Sequence, residues 1–286
     1  MKIAIAYEES IITAIKKRKS IRTYQPVRII PEKRKILQGD LDALGNDLYR
    51  FMWFERETRN ILAERIRTYG VIKGANAFLI GIRCKEVENQ KDTAINFGYD
   101  FEQVILKATE LELGTCWIAG TYISTLFASL IDLCENEKIT MISPVGIPGG
   151  KLHLLSKLFT RSAKSKTRKS LKELFFDGRI KTPLSEKNIS DYALALEMVR
   201  LAPSAANSQP WRIIRIDEDF HFFVAETNYF ALSKQAFLRY NDMGIALLHF
   251  ELACQELGLE GKWITDKRFD NIDPALEYIK TWKTGN

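Results

Sequence analysis

Three stretches carry residue types whose spacing could bind or transform something. The first is "RKSIR", Arg18 to Arg22. If it leaves a helix as extended chain, alternation places Arg18, Ser20 and Arg22 on one side, with Lys19 between them. Two guanidiniums and a hydroxyl on one face suit a phosphate, because arginine offers planar paired donors. A solvated basic helix end, meeting the dipole favourably, reads equally from the same letters. The second stretch, "KSKTRKS" from Lys164 to Ser170, repeats the pattern with Lys166 and Arg168 alternating. A phosphate contact, a solvated linker and a nucleic-acid patch are its three readings, and the lack of interleaved aromatics argues against base stacking. The third, "APSAANSQPW" from Ala202 to Trp211, holds no group that titrates. Pro203 fixes the chain while Ser204 and Asn207 offer neutral donors and acceptors. Gln209 precedes Pro210, which biases it towards extended backbone. Such a turn either feeds the following strand or faces a heteroaromatic ring bearing carbonyl and N–H groups.

A fourth segment, "ELGTCWIAG" at 112–120, follows a long helical pattern. Gly114 suits a helix C-cap and Gly120 permits close backbone approach. Cys116 has no local histidine or acid, so a packed core thiol is preferred over a nucleophile. The four cysteines and three histidines show no metal-ligand spacing. The formal charge of +6 is concentrated, with five basic and no acidic residues between Arg161 and Lys169. A local patch of this kind implies a local anion. The N-terminal apolar run is short for a signal peptide, no stretch is long enough to span a bilayer, and the cysteine usage suits a reducing compartment. The expectation is a soluble cytoplasmic protein with neither a membrane nor a nucleic-acid partner.

The elements that must position these stretches read as mixed helix and strand. Helical spacing is expected over Glu8–Lys17, over "KRKILQGDLDALG" from Lys33 to about Gly45 after a linker bounded by Pro26 and Pro31, over 94–113, over "SDYALALEMVRL" with Ser190 as N-cap, and over 236–257. Strands are expected at 75–82, 139–147, and in "WRIIRI" and "FHFFVA", whose separation signals a hairpin. Trp263 begins a terminal strand or loop. The strands are apolar enough for one covered sheet, giving an α+β or α/β organisation.

A shift of 146 residues lays 94–117 on 240–263 without a gap, pairing Gly98 with Gly244, Leu106 with Leu252, Glu110 with Glu256 and Trp117 with Trp263. The offset is about half the chain, so a duplicated half-molecule with internal two-fold pseudo-symmetry is expected. The halves are 1–160 and 184–286, joined by a basic connecting segment at 161–183.

Taken in order, these stretches resemble the flavin-dependent nitroreductase family, whose members carry R-x-S-x-[RK], A-P-S-x-x-N-x-Q-P-W, L-G-L-G-x-x-W-I-x-G and a late K-x-R. Here they read "RKSIR", "APSAANSQPW", "LELGTCWIAG" and "KTR" at 166–168. The arm and the turn stand about 180 residues apart instead of a few tens, which is similar to the fused, two-repeat branch in which one chain mimics a dimer. The resemblance implies a three-layer α/β/α sandwich, one FMN site and a monomer built by internal duplication. It implies that Arg18, Lys19, Ser20, Lys166 and Arg168 hold the FMN phosphate side and that Arg22 approaches N1/O2 of the ring. Pro203, Ser204, Ala205, Asn207 and Gln209 would line the ring, with the Ala119 and Gly120 backbone facing N5. The implied reaction is ping-pong hydride transfer from NADH or NADPH through FMN to a small-molecule acceptor such as a nitroaromatic or quinone, with no side chain as acid or base. Another flavin reaction on this fold, dehydrogenation or dehalogenation, and a non-catalytic flavin- or anion-binding role are the alternatives.

Overall fold

The computed structural model describes residues 1–55, 72–119, 128–150, 167–185, 191–226, 237–270 and 272–285. They divide into two compact units: Met1–Glu9, Lys17–Thr93 and Asp100–Ser162 in the first, and Ser10–Lys16, Ala94–Tyr99 and Ala163–Asn286 in the second.

The first unit is built on a four-stranded antiparallel sheet in the order β1-β2-β4-β3, formed by β1 (Tyr49–Glu55), β2 (Ala77–Cys84), β3 (Gly114–Thr115) and β4 (Glu137–Gly146). Strand β2 is buried on both faces, which explains its unbroken apolar run. Phe78, Ile80 and Ile82 join Tyr24, Cys116, Ile118 and Ile142 in one core cluster. By alternation the other face carries Phe51, which stacks on Phe101 of helix α3 (Gln90–Glu110) with centroids 5.2 Å apart. Asn89 caps α3, accepting from the Asp92 N–H at 3.0 Å. Helix α1 is Ile11–Lys17 and α2 is Pro31–Asp42, the latter opened by its proline.

The second unit holds a six-stranded sheet in the order β6-β5-β7-β8-β10-β9. Its strands are β5 (Phe175–Asp177), β6 (Arg179–Pro183), β7 (Trp211–Ile216), β8 (Asp219–Ala225), β9 (Gly261–Ile264) and β10 (Leu276–Thr284). Short helix α4 (Leu171–Leu174) precedes β5, and α5 (Ala193–Leu201) precedes the Ala202–Trp211 turn. Helix α6 (Leu238–Glu256) is buried nearly all round, as a helix inside a core must be. Phe250 on α6 meets Phe220 and Phe222 of β8, Trp263 of β9 and Trp282 of β10.

The expected single sheet is therefore two. Strand β1 does not stand out in the sequence because only Tyr49 and Phe51 of its seven residues are fully buried, so its apolar letters do not alternate cleanly. Residues 175–183, within the expected connector, form an edge hairpin of the second sheet around Gly178, whose φ is +68°. Helix α5 starts at Ala193 with Tyr192 before it and no side-chain cap; Ser190 lies outside the described residues.

Two glycines of the second unit make close contacts with helix backbone. A Cβ on Gly98 would meet the backbone of Asn241, and a Cβ on Gly244 would meet the backbone of Ile95 and Tyr99. Under the 146-residue shift Gly98 corresponds to Gly244 and Ile95 to Asn241. Under that shift each glycine meets the counterpart of a residue that the other meets. Among the described residues no helix is long and apolar enough to cross a membrane.

Candidate functional site

In the first unit the Arg18–Arg22 arm is extended and stitched into the fold by backbone. Ile21 N–H donates to Thr115 O at 2.8 Å, Lys73 N–H to Arg22 O at 2.9 Å and Tyr24 N–H to Lys73 O at 2.9 Å, while Gly149 N–H reaches Thr23 O at 2.8 Å. Gly114 serves this arm instead of capping α3, since a Cβ there would lie 2.6 Å from Ile21 Cγ1. The left-handed position after α3 is taken by Glu112, with φ +61°. Lys19 is exposed and Arg18 is 9% exposed, while Ser20, Ile21 and Arg22 are all half-buried. The Arg18 Nε lies 3.9 Å from Glu102, which is wholly buried on α3 and accepts the Trp117 indole N–H at 2.6 Å. That Nε makes no hydrogen bond with the described residues. Burial pulls the guanidinium below its ordinary range, opposed by Glu102. Cys116 is buried, and burial raises its thiol although Arg22, Ser20 and Arg18 pull the other way. It is a core thiol.

In the second unit the Ala202–Trp211 turn is a short 3-10 turn, Ala205–Asn207, preceded by extended Ser204. Ala206, Asn207 and Gln209 have φ of +50°, +55° and +47°. Three non-glycine left-handed residues in four positions store strain, of order 1–3 kcal/mol each, that the surroundings must over-determine. They do so from three sides. The Ser204 hydroxyl accepts the Gln209 N–H at 2.9 Å, Gln209 Nε2 donates to Asn207 O at 3.1 Å, and Gln209 Oε1 accepts the Lys169 N–H at 2.8 Å. From the other segment, Arg168 Nη1 donates to Asn207 Oδ1 at 2.7 Å and Nη2 to Leu201 O at 3.2 Å, while Asn207 Nδ2 donates to Thr167 O at 2.8 Å. Lys169 Nζ donates to Ser208 O at 2.9 Å. Burial, helped by Arg212, lowers that ammonium to about 8. From below, the Asp242 carboxylate of α6 takes the Ala205 N–H at 3.0 and 3.1 Å.

Extended backbone was expected at Gln209 from the following proline. The structure places it left-handed and 3% exposed, because its amide is spent on Lys169 and Asn207. Asn207 likewise fastens the 167–168 segment to the turn. Pro203 is buried, Ser204 and Ala205 are half-buried, and Ala119 is half-buried one residue after the Ile118–Ile142 bridge. Gly120 and Lys166 lie outside the described residues. Glu102 and Asp242 do not belong to any of the sequence motifs. Their signal was a carboxylate set among core positions of a helix: Glu102 beside Phe101 and Val104, Asp242 beside Met243 and Ile245.

The donors of each unit have a chemistry of their own. A nine-tenths-buried guanidinium with an orphaned Nε suits an oxyanion. Arg168, bonded to an amide-rich turn without titratable groups, sets a permanent cation beside a neutral surface. Among the described residues no cluster suits a metal ion.

A family model described as "Putative TM nitroreductase" matches residues 10–254. A Thermotoga maritima MSB8 crystal structure of "a putative nitroreductase" is similar over 98% of this chain and 95% of its own, at 18% identity and a TM-score of 0.57. A Desulfovibrio desulfuricans nitroreductase described as "putative" and in complex with FMN is 23% identical over 53% of this chain and 96% of its own, with a TM-score of 0.41. An FMN-dependent nitroreductase from Clostridium difficile R20291 is 21% identical over 52% of this chain and 95% of its own, with a TM-score of 0.40. No curated protein matches the sequence. With a match running from α1 almost to the end of α6, and an architecture shared over nearly the whole chain, the protein belongs to the nitroreductase family that this model describes.

Proposed function

We propose that this protein is an FMN-dependent oxidoreductase of nitroreductase type. The observation that carries the reading is the Arg168–Asn207 hydrogen bond, which joins a phosphate-seeking cation to a strained neutral turn in one unit. Arg18, Ser20, Lys166 and Arg168 would hold the phosphate and ribityl hydroxyls, each arginine offering charged donors to an oxyanion. Arg22 would supply a fixed cation towards the pyrimidine edge of the ring, where it stabilises negative charge on reduction. Pro203, Ser204 and Ala205 would present uncharged surface to the ring, excluding water without adding a competing base. Bound FMN would supply the redox chemistry, accepting hydride from NADH or NADPH and returning electrons to a nitroaromatic or quinone-like acceptor. One FMN per chain is expected, because the arm and the turn each occur once in the sequence.

The test is to load purified protein with FMN, remove excess, and titrate anaerobically with NADH and with NADPH. Retained flavin absorbance that bleaches with a nicotinamide and returns with a nitroaromatic or quinone supports the reading. Protein that takes up no FMN overturns it. Flavin that binds but is never bleached leaves a binding protein in place of an enzyme.

A further inference from the structure

The Ala205 N–H points towards α6, where both oxygens of Asp242 meet it at 3.0 and 3.1 Å. Asp242 is 4% exposed, and its Oδ2 also stands 3.5 Å from the Ser208 hydroxyl. A buried carboxylate carries a large desolvation cost, and here burial raises its pKa well above the usual carboxylate range, with Ala205 and Ser208 opposing. Asp242 is set on α6 beside buried Met243 and Ile245. The 146-residue shift sets Asn96 opposite Asp242, and the half that carries Asn96 also lacks the A-P-S-x-x-N-x-Q-P-W turn. The carboxylate accompanies the turn. Just beyond Ala205 the backbone enters its left-handed run at Ala206 and Asn207, so an anchor on the Ala205 peptide controls the direction of the rest of the turn.

We propose that Asp242 is a positioning residue which, through the Ala205 N–H, holds the 203–209 turn in its ligand-receiving conformation. It does not touch the ligand. The role of the turn towards flavin rests on the function proposed above, but the anchoring itself does not, so the two are tested separately.

Hydrogen exchange of the peptide spanning 202–209 is measured on FMN-free full-length protein, and the FMN dissociation constant is measured by fluorescence quenching. Asp242→Ala should speed exchange of that peptide about tenfold and raise the dissociation constant about tenfold, the loss of one buried hydrogen bond. Asp242→Asn keeps an acceptor oxygen and should stay within about threefold of wild type in both readings. Ala205→Pro removes the donor from the other side, and extended Ser204, with φ −148° and ψ 158°, tolerates a following proline. It should reproduce the Asp242→Ala loss, and adding Asp242→Ala to it should change nothing more.

Unchanged exchange and affinity in Asp242→Ala overturn the proposal. So does an Asp242→Asn variant as impaired as Asp242→Ala, or an undiminished effect of Asp242→Ala in the Ala205→Pro background. If Asp242→Ala fails to fold, Asp242→Asn and Ala205→Pro decide on their own. If wild type takes up no FMN the flavin reading falls, and the exchange measurements still decide the role of Asp242.

Discussion

Replacing Gly244 by alanine places a methyl group against the Ile95 carbonyl, 2.7 Å from Tyr99 N and 2.9 Å from the Ile95 carbonyl carbon. These are backbone atoms of a buried helix and cannot rotate aside, so α3 and α6 must separate locally. Overpacking a core costs about 1–3 kcal/mol, and the rigidity of the atoms met puts this case near 3. For a chain of this size each kcal/mol moves the melting temperature by about 2–4 °C, so a fall of about 6–12 °C is expected. Gly39 provides the internal control. It lies exposed on α2 with nothing within 4 Å of its would-be Cβ, so Gly39→Ala should stabilise by about 0.5–1 kcal/mol through backbone entropy. Gly98→Ala meets the Asn241 backbone at the reciprocal position and should cost a similar amount. The double variant should lose less than the sum, because one separation of the helices accommodates both methyls. Thermal unfolding by circular dichroism, with urea midpoints alongside, measures all four proteins. A Gly244→Ala protein that melts at or above wild type refutes the close crossing, and full additivity refutes the shared contact.

Arg18→Ala and Arg168→Ala should each weaken FMN retention about tenfold, read by the flavin remaining after gel filtration; equal retention removes that arginine from the clamp. His221 is 3% exposed, bonded through Nδ1 to Thr281 and packed on Phe269, and burial lowers it to about 4. The unfolded chain then binds the extra proton between about pH 6.5 and 4, so stability falls on acidification through that window, by up to about 3 kcal/mol. His221→Phe should flatten this slope in urea unfolding series, and an unchanged slope counts against a neutral buried imidazole. Glu137, held by Arg50 at 2.7 and 2.8 Å, is lowered to about 2, so its contribution is complete above about pH 4.5 and lost as pH falls through 2. Arg50→Ala should remove that lower window while leaving the His221 window in place.

How much of the site was legible depends on whether a residue's role is local. The Arg18–Arg22 arm and the Ala202–Trp211 turn were legible because alternation, proline and neutral amides act over a few residues. Their internal wiring was not. Gln209 was expected to be extended, since the proline rule sees only its neighbour, whereas bonds from Ser204, Lys169 and Asn207 impose the left-handed conformation. Gly114 read as a helix cap because glycine after a helix commonly is one, but the approach of Ile21, far away in sequence, gives the reason for it.

The sequence by itself determined the mixed α+β character, the two long helices and the family resemblance, all of which rest on periodicity or on contiguous motifs. Tertiary structure alone decided that there are two sheets, that residues 175–183 form the edge of the second, and that Arg18 faces Glu102. It also decided that Asp242 lies beneath the turn. Strand order and buried charge pairing join residues tens to hundreds of positions apart, and no local preference encodes which distant partner satisfies a buried polar group.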